Sequence, residues 1–279
     1  MKQTATKYKQ AIIIGASPMG SEKEALLKLL KWAGYGEQEE HCNRDCNTCH
    51  TGCRAKIKEK DIYVIAADGG LQILLENGML PDFFVGDLDS MECGEALVDE
   101  AGKNGPRADK AGANEAQTNE IQETESVEDI LKRVPHEIVP VEKDDTDMEL
   151  AVKKAYEKGY RNILLYGGCG GARISHTLAN IQMMSFYAKK GCSLQMLGDG
   201  VRMEILHNGS RTLSAAMKGS ISVICLSDVA EGVTIQGLKY EYIGTLTSDR
   251  TLGVSNSFVG KDAVVSVENG TLLLVYERA

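Results

Sequence analysis

Short apolar runs alternate with segments of helical periodicity through the first two thirds of the chain. Buried strands are predicted for four of these runs, at residues 11–14, 62–67, 83–85 and 162–166. Apolar positions at helical spacing predict helices at residues 22–32, 71–75, 148–158 and 177–189. Strands that alternate with helices form a mostly parallel sheet with helices on both faces. The pattern therefore predicts a Rossmann-like α/β fold.

Beyond about Val201 the pattern changes to short strands, and no helix is evident. Turn-forming pairs such as Asn208-Gly and Asn269-Gly separate the apolar runs. This pattern of short strands and turns predicts a smaller all-β sandwich or partial barrel that closes against the first domain. We therefore expect an α/β domain over residues 1–200 and an all-β domain over residues 201–279.

Two segments fit neither pattern and are interpreted as insertions, at residues 34–60 and 94–126. The first contains four cysteines with spacings of four, three and four: Cys42, Cys46, Cys49 and Cys53. Four thiols at this spacing are compatible with a structural zinc site or, less well, an iron–sulfur cluster. The alternative is an exposed insertion with reduced thiols, since the spacing is not a standard paired motif.

Composition and charge narrow the classes of function. Hydrophobic residues make up 43% of the chain and charged residues 25%, which is ordinary for a globular protein. The net charge of −9 argues against nucleic acid or an anionic membrane as the main partner, because both are bound through excess Lys and Arg. The apolar run near the start is too short for a signal peptide or a membrane span, so a cytoplasmic location is expected.

Carboxylates follow two of the predicted strands and also the apolar segment Ile138-Val-Pro-Val, which is interpreted as a further strand end. They are Asp68, then Asp87 and Asp89, then Asp144, Asp145 and Asp147. Ligands of an open α/β sheet bind beyond the carboxyl ends of its strands, so these side chains are expected at one edge. A single Asp after a strand is often only a turn residue or a helix cap. Three such strand ends together favour a magnesium site that also holds phosphates.

Glycine-rich turns follow two of the strands. Asp68-Gly69-Gly70 is explained either as a tight turn into a helix or as backbone that approaches a phosphate. The run from Gly167 to Gly171 delivers Arg173 and His176 to the start of a helix. Glycine amides and a guanidinium both donate to anionic oxygens, which suits a polyphosphate. His176 has the alternative of packing against or capping the following helix.

Taken together, these motifs resemble those of the thiamine pyrophosphokinase family. In order along the chain, the matching motifs are Asp68-Gly-Gly, Pro81-Asp with Gly86-Asp-Leu-Asp-Ser, Asp144-Asp-Thr-Asp, and Gly-Gly-Ala-Arg173-Ile-Ser-His-Thr-Leu-Ala-Asn180. The C-terminal half is similar through Lys218-Gly-Ser-Ile-Ser, Gly232-Val-Thr, Gly237-Leu-Lys-Tyr and Gly253-Val-Ser-Asn. The resemblance covers nearly the whole chain apart from the two insertions.

The resemblance implies an enzyme that transfers the pyrophosphoryl group of ATP to the hydroxyl of thiamine and releases AMP. It implies magnesium held by Asp87, Asp89 and Asp147, and thiamine bound with the help of Ser255 and Asn256. Residues expected near the nucleotide are Asp68, Gly69, Gly70, Thr146, Arg173, Ser175, His176 and Asn180. It further implies a homodimer in which thiamine lies between the β domain of one subunit and the catalytic domain of the other.

One position departs from the family pattern, and two alternative functions stay open. Ser175 stands where the family usually has an aspartate, so a charge expected near the metal is replaced by a hydroxyl. The same phosphate chemistry also fits another acceptor, such as a pterin alcohol. A non-catalytic protein that binds nucleotide or thiamine is the alternative of a different class. Which aspartate would accept the hydroxyl proton is left open.

Overall fold

The computed structural model describes residues 9–17, 19–20, 22–35, 62–88, 127–198 and 200–277. The helices in these ranges are α1 (Glu22–Trp32), α2 (Gly70–Leu75), α3 (Val127–Arg133), α4 (Asp147–Glu157) and α5 (Ile174–Lys189). The strands are β1 (Gln10–Ile14), β2 (Ile62–Ala67), β3 (Phe83–Gly86), β4 (His136–Ile138), β5 (Asn162–Tyr166), β6 (Ser193–Gly198), β7 (Val201–Leu213), β8 (Ser220–Cys225), β9 (Val229–Gln236), β10 (Tyr242–Thr247), β11 (Asn256–Ser257) and β12 (Ala263–Glu277).

Six strands of the first part form a parallel sheet in the order β4-β3-β2-β1-β5-β6. β1 lies between β2 and β5, so the order of the strands reverses direction next to β1. Such a reversal opens a crevice at the carboxyl ends of the strands, because the connections leave towards opposite sides there. The predicted α/β fold is confirmed, and the sheet places a binding crevice beyond β1 and β5.

Helices cover both faces of the parallel sheet. Side chains alternate along β1, so that Ile13 belongs to one core cluster while Ile12 and Ile14 belong to the other. The Ile13 cluster includes residues of α4 and α5, and the second cluster includes residues of α1, α2 and α3. Burial on both faces explains why the β1 sequence is continuously apolar.

The C-terminal part is rich in β-structure, and within residues 200–277 it contains no helix. The sheet passes into it without interruption, because β7 pairs antiparallel with β6 from Gln195↔Glu204 to Gly198↔Val201. β12 runs beside the whole length of β7, and on its other side it pairs first with β9 and then with β8. The side chains of these strands meet in a third core. The division between residues 200 and 201 stays a prediction.

The turns predicted at Asn208-Gly and Asn269-Gly are wrong, because both pairs lie inside the long strands β7 and β12. The two pairs face each other across the ladder, where the register shifts between Val267 and Thr271. Asn208 adopts a φ of 45° and Gly270 a φ of 135°. The Asn208 Oδ1 accepts a hydrogen bond of 2.8 Å from the Gly270 backbone N–H. Residues that suit a turn are therefore used for a bulge that bends two continuous strands.

The strand expected at Ile138-Val-Pro-Val lies slightly earlier, as β4, and the pattern does not predict β6 or α3. β6 alternates between the buried Leu194 and Met196 and the half-buried Gln195 and Leu197, which is the period of a strand. α3 is only seven residues long and is anchored by the buried Ile130. Both signals are too short to distinguish these elements from loop sequence.

The predicted insertions lie almost entirely outside the described residues, as do Asp89 and the cysteines Cys42, Cys46, Cys49 and Cys53. In the described ranges no helix has the length and the apolar character that crossing a membrane requires.

Candidate active site

The loops that follow β1 and β5 lie against each other at the strand reversal. Gly15 N–H donates to the Tyr166 carbonyl at 2.8 Å, and Ser17 N–H donates to the Gly167 carbonyl at 3.2 Å. Gly167 has a φ of 68°, and a Cβ atom there would lie 2.5 Å from the Gly15 carbonyl oxygen. Only glycine fits this contact, so the two loops form a closely packed backbone floor.

Asp68 ends β2 in a left-handed conformation, with a φ of 49°. Its backbone N–H donates to the Val85 carbonyl at 2.9 Å and its carbonyl accepts from Leu71 N–H at 3.0 Å, which fixes the turn into α2. The left-handed residue of this turn is therefore Asp68 and not a glycine, since Gly69 is right-handed with a φ of −56°. Gly70 approaches β1 closely, since its Cβ would lie 1.9 Å from the Ile14 carbonyl oxygen.

Asp87 follows β3, and its side chain is 9% exposed. Lys143 Nζ lies 3.1 Å from Asp87 Oδ2 and donates a hydrogen bond to it. The next residue, Leu88, has a φ of 68°, so the backbone leaves strand geometry directly after Asp87. This departure is what a pair of carboxylates two positions apart needs in order to face one site, although Asp89 itself lies outside the described residues.

Asp147 is the first residue of α4, and its side chain is 20% exposed. The helix is capped by Thr146, whose Oγ1 accepts a hydrogen bond of 3.2 Å from the Glu149 backbone N–H. Thr146 and Glu149 have the spacing of a capping box, which explains why α4 begins here. The first turn of a helix favours negative charge, so Asp147 is placed where the backbone dipoles assist a carboxylate or a bound anion.

The carboxylates Asp68, Asp87 and Asp147, which we call the acidic rim, influence one another. Burial raises the pKa of Asp147, the charges of Asp68 and Asp87 add to this, and the Lys143 ammonium opposes it. Burial alone would lower the pKa of Lys143, but its ion pairs with Asp87 and Asp147 outweigh burial and raise the pKa. Because folding raises the pKa of Asp147, the folded protein loses stability as the pH rises from the unfolded pKa of this carboxyl through its folded pKa. A divalent cation bound by the rim would relieve this cost.

The turn after β5, residues 167–172, is called the glycine loop. Gly170 and Gly171 have φ values of 81° and 75°, which carry the chain back into α5. Asn180 is buried on α5, and its Nδ2 donates to the Gly168 carbonyl at 2.6 Å, so it holds the loop from below. Arg173 is the N-cap residue of α5, and both Arg173 and His176 are exposed. The exposure of His176 does not fit the alternative in which it packs against the helix.

These elements enclose one cleft of about 510 Å³. Its walls include the predicted site residues Asp68, Asp87, Thr146, Asp147, Arg173, His176 and Asn180. Gly69, Gly70 and Ser175 are not among the wall residues. The structure therefore brings together residues that are more than 100 positions apart in the sequence.

The donor set of the rim suits a hard divalent cation. Asp147 Oδ1 is buried and lies 3.1 Å from Lys143 Nζ, yet it has no hydrogen-bond partner among the described residues. The Lys143 ammonium neutralises the charge of this oxygen but does not meet its hydrogen-bonding need, so a divalent cation that replaced the ammonium would find a free ligand atom here. The described ranges contain no preassembled group of three or more His, Cys, Asp or Glu side chains around a metal position.

Lys143 is a charged residue of this cleft that the sequence patterns do not single out. Its side chain is 14% exposed and its ammonium lies between Asp87 and Asp147. The spacing of four between Lys143 and Asp147 was a signal, since residues four apart can approach each other near a helix start. The contact with Asp87 had no signal in the sequence, because it depends on how β3 and α4 are placed.

A second cavity of about 760 Å³ lies in the β-rich part. Its walls include Tyr240, Tyr242, Leu246, Leu252 and Val254, together with Asn256. Asn256 is 3% exposed, and its side chain bonds the Tyr240 backbone twice, accepting from N–H at 3.0 Å and donating to the carbonyl at 2.7 Å. Asn256 thereby shapes the cavity wall.

Ser255, by contrast, is exposed and has a φ of 59°. Its backbone N–H donates to Ser222 Oγ at 3.1 Å. Ser255 is not among the residues that line the second cavity, so only its neighbour Asn256 contributes to that wall.

Known proteins match both parts of the chain. The family model described as "Thiamin pyrophosphokinase, catalytic domain" matches residues 121–196, and the model described as "Thiamin pyrophosphokinase, vitamin B1 binding domain" matches residues 210–273. Thiamine pyrophosphokinase from Bacillus subtilis (strain 168) is 28% identical over 140 residues, which cover 50% of this chain and 65% of that protein. The chain thus aligns with slightly less than two thirds of this curated relative.

Solved structures share the fold. The crystal structure of thiamine pyrophosphokinase from Bacillus subtilis has a TM-score of 0.65 at 20% identity, covering 97% of this chain and 100% of that chain. Thiamin pyrophosphokinase from Geobacillus thermodenitrificans has a TM-score of 0.61 at 21% identity, covering 97% and 98%. The yeast enzyme has a TM-score of 0.59 at 14% identity, covering 97% and 86%. With the catalytic and the vitamin-binding models matched in order, the chain belongs to the thiamine pyrophosphokinase family.

Proposed function

We propose that the protein is a thiamine diphosphokinase, which transfers the pyrophosphoryl group of ATP to the hydroxyl of thiamine and yields thiamine pyrophosphate and AMP. The observation that carries the proposal is the convergence of the acidic rim, the glycine loop and Arg173 on one cleft. Negative and positive groups that face each other across a backbone floor suit a nucleotide polyphosphate with its metal. The cleft also lies at the strand reversal, where α/β sheets bind nucleotides.

The reaction is a displacement at the β-phosphorus of ATP. The thiamine hydroxyl oxygen forms a bond to this phosphorus, the bond from the β-phosphorus to the oxygen shared with the α-phosphate breaks, and AMP leaves with that oxygen. Arg173, exposed at the start of α5, would donate to the phosphate oxygens, assisted by the amides of the glycine loop. A carboxylate of the acidic rim would accept the hydroxyl proton.

Magnesium, when bound, would neutralise charge on the phosphate oxygens. Asp87 and Asp147 are proposed as its ligands together with Asp89, and carboxylate oxygens are the ligands that it prefers. Ser175 is exposed on the first turn of α5 and does not line the cleft. We therefore propose that the cleft does not need an aspartate at position 175 to bind the nucleotide and its metal.

The second cavity is proposed as part of the thiamine site. It offers aromatic and aliphatic walls beside Glu241 and Arg250, which suits a cationic heteroaromatic ring with a polar edge. Tyr240, Leu252 and Val254 at this cavity are 59%, 55% and 49% exposed. Such an exposed apolar surface favours contact with another subunit, so we propose a homodimer in which the second cavity of one subunit completes the cleft of the other.

The reaction is tested by incubating the purified protein with ATP, Mg²⁺ and thiamine and separating the products by chromatography. We expect AMP and thiamine pyrophosphate in equal amounts. ADP as the product would indicate transfer of a single phosphoryl group and would contradict the proposal. Turnover with a pterin alcohol in place of thiamine would support the other acceptor, and no turnover with either would favour a binding protein. The expected cytoplasmic location stays a prediction.

Arg173→Met is expected to raise the KM for ATP by about tenfold to thirtyfold, because a charge-assisted contact with the phosphates is lost. The matched control is Arg161→Met. Arg161 lies directly before β5, at the end of this strand that is opposite the glycine loop. There it donates a hydrogen bond of 2.7 Å to the Tyr156 carbonyl. Steady-state kinetics over a range of ATP concentrations measures both variants. An unchanged KM in Arg173→Met, or an equal rise in the control, would remove Arg173 from the phosphate site.

A further inference from the structure

Lys143 occupies the space between two carboxylates that come from different elements. Its ammonium lies 3.1 Å from Asp87 Oδ2 and 3.1 Å from Asp147 Oδ1, and it also donates to the Pro140 carbonyl at 3.2 Å. The three side chains are only 14%, 9% and 20% exposed. The ammonium is therefore a fixed component of the acidic rim, and it is poorly screened by solvent.

The position of this ammonium conflicts with a metal ion on the same oxygens. A magnesium ion binds carboxylate oxygens at about 2.0–2.1 Å and draws them towards itself. A nitrogen that lies 3.1 Å from both oxygens fills the space between them and carries charge of the same sign as the metal. The two cations cannot share these oxygens at full strength, because they would repel each other at short distance.

We propose that the Lys143 ammonium and a divalent cation compete for Asp87 and Asp147, so that Lys143 holds the acidic rim together in the metal-free protein and weakens the binding of the metal. Lys143 is a positioning residue in this role. The inference rests on the proposed function only where it takes Asp87 and Asp147 as the ligands of magnesium. It predicts that the metal-free protein keeps its rim without a divalent ion, at the cost of affinity for that ion.

The test is a calorimetric titration of the full chain with MgCl₂ alone, in the absence of ATP and thiamine. Lys143→Met should bind Mg²⁺ about tenfold more tightly than the wild type, because a competing charge worth about one partly buried ion pair is gone. Lys143→Arg keeps the charge and should stay within about twofold of the wild type. Should Lys143→Met not fold, Lys143→Gln removes the same charge and is measured in its place.

Lys154→Met is the matched control. Lys154 lies on α4 and pairs with Glu137 at 3.1 Å, but it does not line the cleft. Its removal should leave the affinity for Mg²⁺ unchanged. Thermal unfolding gives a second readout. In EDTA the Lys143→Met protein should melt below the wild type, and Mg²⁺ should raise its melting temperature more than that of the wild type.

Equal or weaker binding of Mg²⁺ by Lys143→Met would overturn the inference, and so would the absence of binding by both the wild type and the variant. These outcomes are independent of the proposed reaction, which is judged by the formation of AMP in the presence of thiamine. A wild type that forms AMP while Lys143→Met shows no gain in affinity leaves the function intact and removes the competition. If Lys143→Met gains affinity for Mg²⁺ but the wild type forms no AMP, the competition is supported and the proposed reaction is contradicted.

Discussion

Asp87→Asn is expected to lower the rate of thiamine pyrophosphate formation by about a hundredfold or more, equivalent to roughly 2.7 kcal/mol of lost transition-state stabilisation. The Asp87 side chain is only 9% exposed, and it pairs with Lys143 inside the cleft. An amide of the same shape keeps the packing but removes the charge that a magnesium ion requires. Initial rates at saturating ATP and thiamine measure the effect.

The dependence on Mg²⁺ distinguishes this explanation from a loss of folding. If Asp87 binds the metal, the concentration of Mg²⁺ needed for half-maximal rate should rise. The urea unfolding curve should shift only by the loss of the Lys143–Asp87 ion pair, so that the variant stays folded under the assay conditions. Asp129→Asn is the control, because Asp129 lies on α3 and pairs at 2.7 Å with Lys132, outside the cleft. A rate in Asp87→Asn equal to that of Asp129→Asn at every Mg²⁺ concentration would contradict a role for Asp87 at the metal.

Gly70→Ala is expected to destabilise the fold by about 3 kcal/mol or more. The added Cβ would lie 1.9 Å from the Ile14 carbonyl oxygen and 2.6 Å from its carbonyl carbon. Both atoms belong to the backbone of β1, so no side chain can rotate away and α2 must move off the sheet. The free energy of unfolding, obtained from urea titration of the metal-free protein, measures the loss.

Gly78→Ala provides the matched control three residues beyond the same helix. Gly78 has a φ of 66° and no atom within 4 Å of the added Cβ, so only the left-handed backbone is penalised, by about 1 kcal/mol. The difference between the two variants isolates the contact of α2 with β1. If Gly70→Ala were as stable as Gly78→Ala, the close approach of Gly70 to Ile14 would be contradicted.

The two glycines of the Asp68-Gly-Gly motif show where sequence reasoning reached its limit. A tight turn into a helix was predicted and is present, but the left-handed residue is Asp68 and not a glycine. Gly70 is needed because β1, a strand more than fifty residues earlier in the chain, passes directly beside it. Local sequence indicates that a glycine permits unusual backbone, whereas the reason for that glycine lies in a tertiary contact.

The Asn-Gly pairs of the C-terminal part show the same limit. Asn208-Gly and Asn269-Gly have the composition of hairpin turns, and a single strand gives no reason to interpret them otherwise. They became bulges because β7 and β12 pair along their whole length and place the two irregular points opposite each other. The hydrogen bond from Gly270 N–H to Asn208 Oδ1 then completes the bend.

The sequence by itself determined the alternation of strands and helices, the β-rich C-terminal part and the order of the motifs that mark the family. These follow from periodicity and from short motifs, both of which are local properties of the chain. Only the tertiary structure decided that Asp87, Asp147 and Lys143 meet in one place, and that Asn180 supports the glycine loop. The physical reason is that parallel strands carry distant segments to a single edge of the sheet, where the contacts depend on strand order and helix placement.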